Sequence, residues 1–317
     1  MGAYIARRLL ETAPVLLGVS IIVFALLRLV PGDPALFIAG VEATPEVLAA
    51  VRHQMGLDQP IPVQYVLWLE HAVQGDFGKS FINGLPISHL VWQRVPATLE
   101  LATAGLLFAT VVGFPLGLLA AVRRGSLWDY LISGFAALAL GIPVYLLGIL
   151  FIAVFSLSLG WFPPAGRVQF EDSVPLALKS LFMPAFALGL AHAPILIRFT
   201  RNSILEVLNE DYVRTAHAKG VPSRLVMSRH VLKNAMIPVV TILGITFGRL
   251  IGGVVITEAV FAWPGLGTMV IVAIGNRDYG LVQSALLVIV VVFVFINLFI
   301  DVLYGWLDPR IRLGQGR

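Results

Sequence analysis

Six long apolar runs restrict the fold of this chain more than any other feature. Each is long enough to cross the hydrocarbon core of a membrane, which takes about 20 helical residues. Between them lie short polar connections and one longer segment of ordinary composition. We therefore predict an all-α integral membrane protein with six transmembrane helices. The predicted spans are Leu9–Val30, Ala97–Val122, Tyr130–Leu159, Leu181–Phe199, Met236–Glu258 and Leu281–Tyr304.

The composition agrees with a membrane protein and excludes several other classes. Apolar residues make up 58% of the chain and charged residues 13%, against about 45–50% and 25% in soluble domains. The sequence contains no cysteine, which excludes disulfides, cysteine-ligated zinc and a thiol nucleophile. The formal charge of +4 is small, and the basic residues cluster at the ends of apolar runs. This pattern does not suggest nucleic-acid binding.

Basic residues also predict which side of the membrane each connection faces. With six spans both termini lie on one side, and 14 of the 22 Lys and Arg residues then fall in the segments of that side. The opposite side holds six. Cytosolic connections carry the excess of positive charge, so we expect cytosolic N- and C-termini. Arg7 and Arg8 precede the first run, but it is too long for a signal peptide and no cleavage site follows, which predicts an uncleaved helix.

The segment 31–96 has a soluble-like composition and is predicted to form a small extracytoplasmic helical cap. Thr44 can cap a helix that begins at Pro45 and ends at Gly56, with apolar residues on one face. A second amphipathic helix is expected over Pro62–Val73. We expect both helices to pack an apolar face onto the bundle and to leave their polar faces outward. The apolar residues assigned to these faces are Val47, Leu48, Val51, Met55, Val63, Val66, Leu69 and Val73.

A basic, polar island lies within the segment 199–235, between the fourth and fifth apolar runs. Asn209 or Asp211 can cap a short helix, Gly220 suits the position after its end, and Pro222 prevents its continuation. A second helix can begin near Ser223 and continue into the next span. The short helix combines small residues, which permit close approach of another protein, with charges that orient it. We predict a docking element on the cytosolic side.

Several stretches of the chain resemble one protein family. DYVRTAHAKG and RHVLKNAMIP in the island look like the cytoplasmic coupling loop of ATP-binding-cassette importer permeases of the dipeptide/oligopeptide type. LVPGDPA, MGLDQPIPVQYVLWLEHAVQGDFGKS and TEAVFAWPGLGTMVIVAIGNRDYGLVQ resemble other segments of these permeases, in the expected order. The Glu of the general permease signature is absent, since Arg214, Thr215 and Ala216 occupy its triplet. The N-terminal segment resembles the first of the family's two permease types.

The resemblance implies a single permease domain over 1–317 that forms half of a peptide pathway and works by alternating access. It implies four kinds of partner: a second homologous permease, cytosolic ATP-binding subunits that hold ATP and Mg²⁺, an extracytoplasmic substrate-binding protein, and the peptide. No cofactor, metal or catalytic residue is expected in this chain, and a bacterial inner membrane is the expected location. The implied ATPase-coupling residues are Asp211, Tyr212, Arg214, Thr215, Ala216, Ala218, Lys219 and Gly220.

Other functions remain open on the sequence alone. Similar permeases import nickel chelates or glutathione. An ion-coupled secondary transporter would need no ATPase, but we find no convincing internal repeat of the kind such folds often show. An intramembrane enzyme is disfavoured because no nucleophile, base or metal set converges. Gly75–Ser80 (GDFGKS) resembles part of a phosphate loop, but lacks its first glycine and a preceding strand, so a turn is the better interpretation.

Arg249 is the candidate residue for the transport pathway. It lies midway along the fifth predicted span, where an exposed charge costs roughly 2.5–3.5 kcal/mol on insertion scales. Gly248, Gly252 and Gly253 beside it would allow close packing or passage of a substrate. We expect Arg249 to face the interior of the bundle, where it either meets a peptide carboxylate or pairs with an acid such as Glu100 or Glu258.

Overall fold

The computed structural model describes residues 2–29, 34–39, 43–54 and 56–307 of the chain. These residues are mostly helical and contain no β-strand, only an isolated bridge between Lys79 and Pro86. The prediction of an all-α fold is therefore confirmed. The basic C-terminus, including Arg310, Arg312 and Arg317, lies outside the described residues, as do positions 31–33 of the predicted cap.

In chain order, the α-helices of the described residues are α1 (Gly2–Leu29), α2 (Pro34–Ala39), α3 (Pro45–Gln54), α4 (Ile61–Val73), α5 (Ile87–Val122), α6 (Leu127–Ala139), α7 (Val144–Phe151), α8 (Val174–Leu208), α9 (Asp211–Ala218), α10 (Ser223–Leu225), α11 (Leu232–Val260), α12 (Leu266–Gly275) and α13 (Tyr279–Leu307). Two π-helical segments accompany them. Ile152–Ser158 extends α7, and Val226–Val231 joins α10 to α11.

The chain divides into two compact units. The first comprises Met1–Ala97 and Gly265–Leu298, and the second comprises Thr98–Pro264 and Phe299–Arg317. The first unit holds α1 to α4 and α12. The second holds α6 to α11, and therefore all of the predicted coupling segment.

Four helices are long and apolar enough to cross a membrane. The pair Leu127–Ala139 and Val144–Ser158 meets the same test only when joined, although it is bent by 101°. Length and composition thus support four spans, or five if the bent pair is one. The apolar segment Leu10–Leu26 of α1 is shorter. The four long helices are Ile87–Val122, Val174–Leu208, Ser223–Leu250 and Tyr279–Ile300.

The prediction of one continuous helix over Tyr130–Leu159 was wrong, because the chain turns sharply between α6 and α7. Pro143 precedes α7 with an extended backbone, φ −62° and ψ 141°. Proline has no N–H to donate and disfavours helical geometry in the residue before it. Two other prolines, Pro184 and Pro194, lie inside α8 without ending it. The different outcomes show that a proline alone does not tell where a membrane helix breaks.

Within the second unit, glycines bring α5 and α8 unusually close together. A Cβ atom built on Gly189 would lie 2.7 Å from the carbonyl oxygen of Gly105 and 2.9 Å from the backbone N of Ala109. One on Gly113 would lie 2.7 Å from Cβ of Leu196. Small residues at such positions let helix backbones approach and gain van der Waals contact, which is a main source of association in membranes. The close approach makes α8 the central helix of this unit.

The two amphipathic helices of the predicted cap form at the expected positions. α3 begins at Pro45, and the backbone N–H of Val47 donates to Thr44 Oγ1 at 3.4 Å, as expected for a capping threonine. α4 begins one residue earlier than predicted. Met55, assigned to the apolar face of the first helix, lies outside the described residues.

The expected packing of α4 was wrong. No residue of this helix is buried, and three of the four apolar residues assigned to its packed face are exposed, at 41% for Val63, 59% for Val66 and 81% for Val73. The helix is instead held by its aromatic residues, Tyr65 and Trp68, which contact α1.

An exposed ion pair closes the loop between α3 and α4. His53 Nδ1 lies 2.7 Å from Asp58 Oδ2. Their hydrogen bond, with the charge on each group, raises the pKa of His53 and lowers the pKa of Asp58. The stabilisation is thus present between these two pKa values. It is lost as the pH rises through the pKa of His53, or as the pH falls through the pKa of Asp58.

Candidate functional site

The predicted coupling helix is present as α9, a two-turn helix between α8 and α10. Its N-cap residue is Glu210, whose side chain makes no capping hydrogen bond, so neither Asn209 nor Asp211 caps it as predicted. Asn209 instead donates to the carbonyl of Leu205 at 2.9 Å, at the end of α8. Gly220 follows α9 with φ +76°, a left-handed conformation that glycine adopts without steric cost. The expected position of Gly220, just past the end of this helix, is therefore confirmed.

One face of α9 anchors the helix to the rest of its unit. Val213 is 1% exposed and Ala216 is 9% exposed, and both belong to a buried apolar cluster. Ala216 was expected to belong to the coupling surface, but its side chain packs inward. The other buried members of this cluster are Ala121, Ile204, Val226, Val231 and Ala235.

The opposite face of α9 is exposed. It carries an acid, two bases, a tyrosine and small residues, so that charge and close backbone approach occur on one surface. Asp211 and Arg214 lie 3.6 Å apart, but an ion pair this exposed is worth at most about 1 kcal/mol. Both charges therefore remain available to a partner. The exposed residues from 211 to 220 are Asp211, Tyr212, Arg214, Thr215, His217, Ala218, Lys219 and Gly220.

A hydrogen bond ties the start of α9 to the start of α11. Asn234 Nδ2 donates to the hydroxyl of Tyr212 at 2.9 Å and to the carbonyl of His230 at 2.8 Å. The buried face packs α9 against α8, and this bond connects α9 to α11. Movement of α9 would therefore be passed to α8 and α11.

A charged pair that was not predicted from the sequence includes a residue on α8, one turn before Ile204, which packs against α9. Arg201 of α8 donates twice to the carboxylate of Asp129 in α6, at 2.7 and 2.9 Å. The same carboxylate accepts hydrogen bonds from the backbone of Gly125 at 3.0 Å and from the hydroxyl of Ser133 at 3.3 Å. Asp129 is only 4% exposed, and two-fold arginine–carboxylate contacts are strong and directional. In the sequence, only the spacing of Ser126 and Asp129 pointed to this site, because it is typical of a helix N-terminus.

The ion pair joins two apolar clusters along α8. Ile197 packs with α6 through Ile132 and Ala136, and Ile204 packs with α9. Arg201 lies between Ile197 and Ile204, at helical spacings of four and three residues, so the three residues share one face. These contacts connect α6, α8 and α9 in one assembly.

Comparison with known proteins identifies the family. Residues 1–102 match the N-terminal region of binding-protein-dependent transport system membrane components, and residues 113–313 match the binding-protein-dependent transport system inner membrane component. A probable peptide ABC transporter permease, y4tP of Sinorhizobium fredii, is 42% identical over 98% of this chain and 100% of its own. The chain belongs to the peptide ABC transporter permeases.

Two further similarities refine this result. The glutathione transport system permease GsiC of Salmonella typhimurium is 42% identical, over 98% of both chains. The structure of the inward-facing MetNI methionine ABC transporter aligns with a TM-score of 0.57 at 21% identity, covering 69% of this permease and 96% of that chain. At that identity the structural match supports the fold alone. Together with the apolar helices, the family makes this chain a multi-pass inner-membrane protein with a transport role.

The acids proposed as partners of Arg249 in this permease are engaged elsewhere. Glu100 accepts from Arg167 at 2.7 and 2.9 Å, and the fully buried Glu258 accepts from Thr98 at 2.6 Å. Among the described residues, Arg249 forms no ion pair, and its side chain is exposed in this chain. One turn further along α11, Gly253 approaches His192 and Leu188 of α8.

The phosphate-loop-like segment of the permease is a turn, as predicted. α4 ends at Val73, and Gly75 and Gly78 adopt φ angles of +79° and +73°. Asp76 Oδ1 accepts from the backbone of Gly78 at 2.9 Å, which closes the turn. Its last residue, Ser80, hydrogen-bonds the buried Asp278 within the same unit. The polar residues here have a structural role.

Proposed function

We propose that this chain is one of two permease subunits of an ATP-driven importer of di- and oligopeptides. The observation that carries the proposal is full-length similarity to a peptide permease together with a helix that has one anchored and one exposed face. Both termini lie in the cytosol, and the chain acts as one permease domain over 1–317. The bent pair and α1 complete six spans, since α1 extends over 28 residues, about 42 Å of helix.

Four kinds of partner complete the importer. A second homologous permease supplies the other half of the pathway, and cytosolic subunits bind and hydrolyse ATP with Mg²⁺. An extracytoplasmic binding protein delivers the peptide to the cap, 31–96, where Glu70 and Asp76 are exposed. When the ATPases close, they move α9, and its anchored face transmits the movement to α8 and α11. Alternating access follows from this movement.

The decisive experiment is uptake into lipid vesicles that contain the complete importer. We expect a labelled tripeptide to accumulate only with ATP, Mg²⁺ and the binding protein all present. Accumulation driven by an ion gradient without ATP would overturn the proposal in favour of a secondary transporter. The similarity to a glutathione permease supports a second candidate substrate, so glutathione is tested as a competitor. Uptake of glutathione but of no other peptide would narrow the substrate class.

The exposed face of α9 is expected to bind the ATPase. Ala218→Trp places a bulky ring where a small residue permits close approach, and Arg214→Glu reverses an exposed charge. Each variant should reduce the ATPase that co-purifies by about tenfold, as for loss of one interface hot spot. Arg124→Trp is the matched control, exposed but outside α9. Ala216 and Gly220 are poor test positions, because one is buried and the other has a positive φ. Unchanged co-purification in both variants would contradict the docking face.

Arg249 is proposed to face the transport pathway. Since Glu100 pairs with Arg167, Arg249→Met should leave assembly intact and lower uptake of peptides with a free carboxyl terminus more than uptake of amidated ones. Arg249→Lys should retain part of this preference because it keeps the charge. Loss of assembly in Arg249→Met would indicate a structural pair with another subunit. Normal assembly and transport in both variants would remove Arg249 from the pathway.

A further inference from the structure

Helices α8 and α11 pack against each other in antiparallel directions within the second unit. Ile204, near the end of α8, belongs to the same buried cluster as Ala235, near the start of α11. Towards the other end of the contact, a Cβ atom built on Gly253 of α11 would lie 3.1 Å from Cδ1 of Leu188 in α8. Residue numbers therefore rise along α8 in the direction in which they fall along α11.

This register makes His192 a neighbour of Arg249. His192 lies one turn after Leu188 on α8. Arg249 lies one turn before Gly253 on α11, so both steps lead about 6 Å in the same direction. Cε1 of the His192 ring would lie 3.4 Å from the Cβ atom built on Gly253, and His192 and Arg249 also interact electrostatically. The two residues therefore face each other across the contact of α8 with α11.

The ring of His192 has one nitrogen that is engaged and one that is not. Nδ1 lies 2.9 Å from the carbonyl oxygen of Leu188, and because a carbonyl only accepts, Nδ1 carries the proton. In the neutral ring, Nε2 then has a lone pair and acts as an acceptor. Among the described residues, no group hydrogen-bonds Nε2. The half-buried His192 thus provides an acceptor that this part of the chain does not use.

Both residues lie at positions where a polar side chain indicates a substrate pathway. His192 is near the middle of α8, and Arg249 shares an exposed strip of α11 with Ile245 and Ile256, which are 46% and 44% exposed. Ionisable residues within membrane spans almost always face the bundle interior or a water-filled cavity, and they mark substrate pathways. The guanidinium of Arg249 has only donors, so it can recognise a carboxylate but not an N–H. Nε2 of His192 supplies the missing acceptor.

We propose that His192 is a second specificity-determining residue of the pathway. Its Nε2 accepts a hydrogen bond from the last peptide N–H of the substrate, while Arg249 binds the terminal carboxylate. The inference rests on the proposed function and on the pathway role of Arg249. The two groups of the substrate are adjacent in every peptide with a free carboxyl terminus, which matches two neighbouring residues on facing helices.

The test compares two labelled tripeptides that differ by one methyl group on the last peptide nitrogen, which removes its N–H. The initial rate of uptake is measured in vesicles that contain the complete importer. Each rate is divided by that of the unchanged importer for the same peptide, so that the preference of the binding protein cancels. His192→Phe keeps an aromatic ring but has no acceptor. It should lower uptake of the unmethylated tripeptide about tenfold, as for loss of one hydrogen bond, and leave uptake of the methylated one unchanged.

Two further variants test the chemistry and the place of this contact. His192→Gln can still present an acceptor, so it should retain most of the uptake of the unmethylated tripeptide. In an Arg249→Met background, His192→Phe should lower this uptake by less than about twofold, because residues that hold the same end of a substrate act non-additively. A full tenfold loss in that background would place the two residues at separate sites and overturn the proposal.

The other outcomes separate a structural role from recognition. Equal loss of uptake for both tripeptides, or no loss for either, would overturn the proposal. Co-purification with the partner subunits reports assembly, and His192→Leu, which also lacks an acceptor, replaces His192→Phe if that variant does not assemble. If neither variant assembles, His192 belongs to the packing of α8 and the proposal is overturned. Absence of ATP-dependent uptake in the unchanged importer would instead overturn the proposed function.

Discussion

Gly189→Ala is expected to prevent stable assembly of the permease, although it adds a single methyl group. The new carbon would lie 2.6 Å from Cβ of Phe108, 2.7 Å from the carbonyl oxygen of Gly105 and 2.9 Å from the backbone N of Ala109. Two of these are backbone atoms, which no side-chain rotation can move away. α5 and α8 must therefore separate, at a cost of about 3 kcal/mol or more.

The measurement is the midpoint of thermal unfolding of the complex in detergent, together with the amount of protein in the membrane. Gly134→Ala in α6 is the matched control, because a Cβ there would meet nothing within 4 Å. It should be neutral or stabilise by up to about 1 kcal/mol, since alanine favours helix more than glycine does. Equal unfolding midpoints for the two variants would contradict the close approach of α5 and α8.

Asp129→Asn is expected to have the second largest effect. The asparagine keeps the size of the side chain but leaves the guanidinium of Arg201 without its carboxylate. The Arg201 side chain is only 24% exposed, and removal of one partner from a buried pair costs about 3–5 kcal/mol. We place the loss near the lower end because Arg201 still reaches solvent. Since Arg201 lies between the residues that pack with α6 and with α9, the variant should also reduce transport per ATP hydrolysed.

Two variants bracket this result. Asp211→Asn removes the contact between Asp211 and Arg214, whose side chains are 97% and 71% exposed, respectively. Because the contact is exposed, the variant should change stability little. Ser133→Ala removes only the 3.3 Å hydrogen bond to Asp129 and should cost about 1 kcal/mol. Thermal unfolding and the ratio of peptide uptake to ATP hydrolysis are measured for all three. If Asp129→Asn unfolds at the same midpoint as Asp211→Asn and keeps the ratio of uptake to hydrolysis of the unchanged chain, the buried pair contributes neither to stability nor to coupling.

Features that depend on neighbouring residues in the chain were predictable from the sequence. The helical class, the positions of most apolar helices along the chain, the start of α3 at Pro45 and the left-handed glycine after α9 all follow from local patterns. These include apolar run length, a capping threonine and the conformational freedom of Gly220. The segment predicted to couple the ATPase could be located because its small and charged residues are contiguous. The residues that form each of these patterns lie within about one helix of the sequence.

Features that depend on distant residues were decided only by the tertiary structure. The inward position of Ala216 depends on a cluster that includes Ala121 and Val231. Asp129 and Arg201 are 72 positions apart, and no local pattern says which of several arginines a carboxylate will meet. The exposure of Val66 and Val73 on α4 has the same origin, because a periodic pattern shows that a face is apolar but not what covers it. Pairing and burial are properties of packed helices, so the sequence specifies them only through the complete fold.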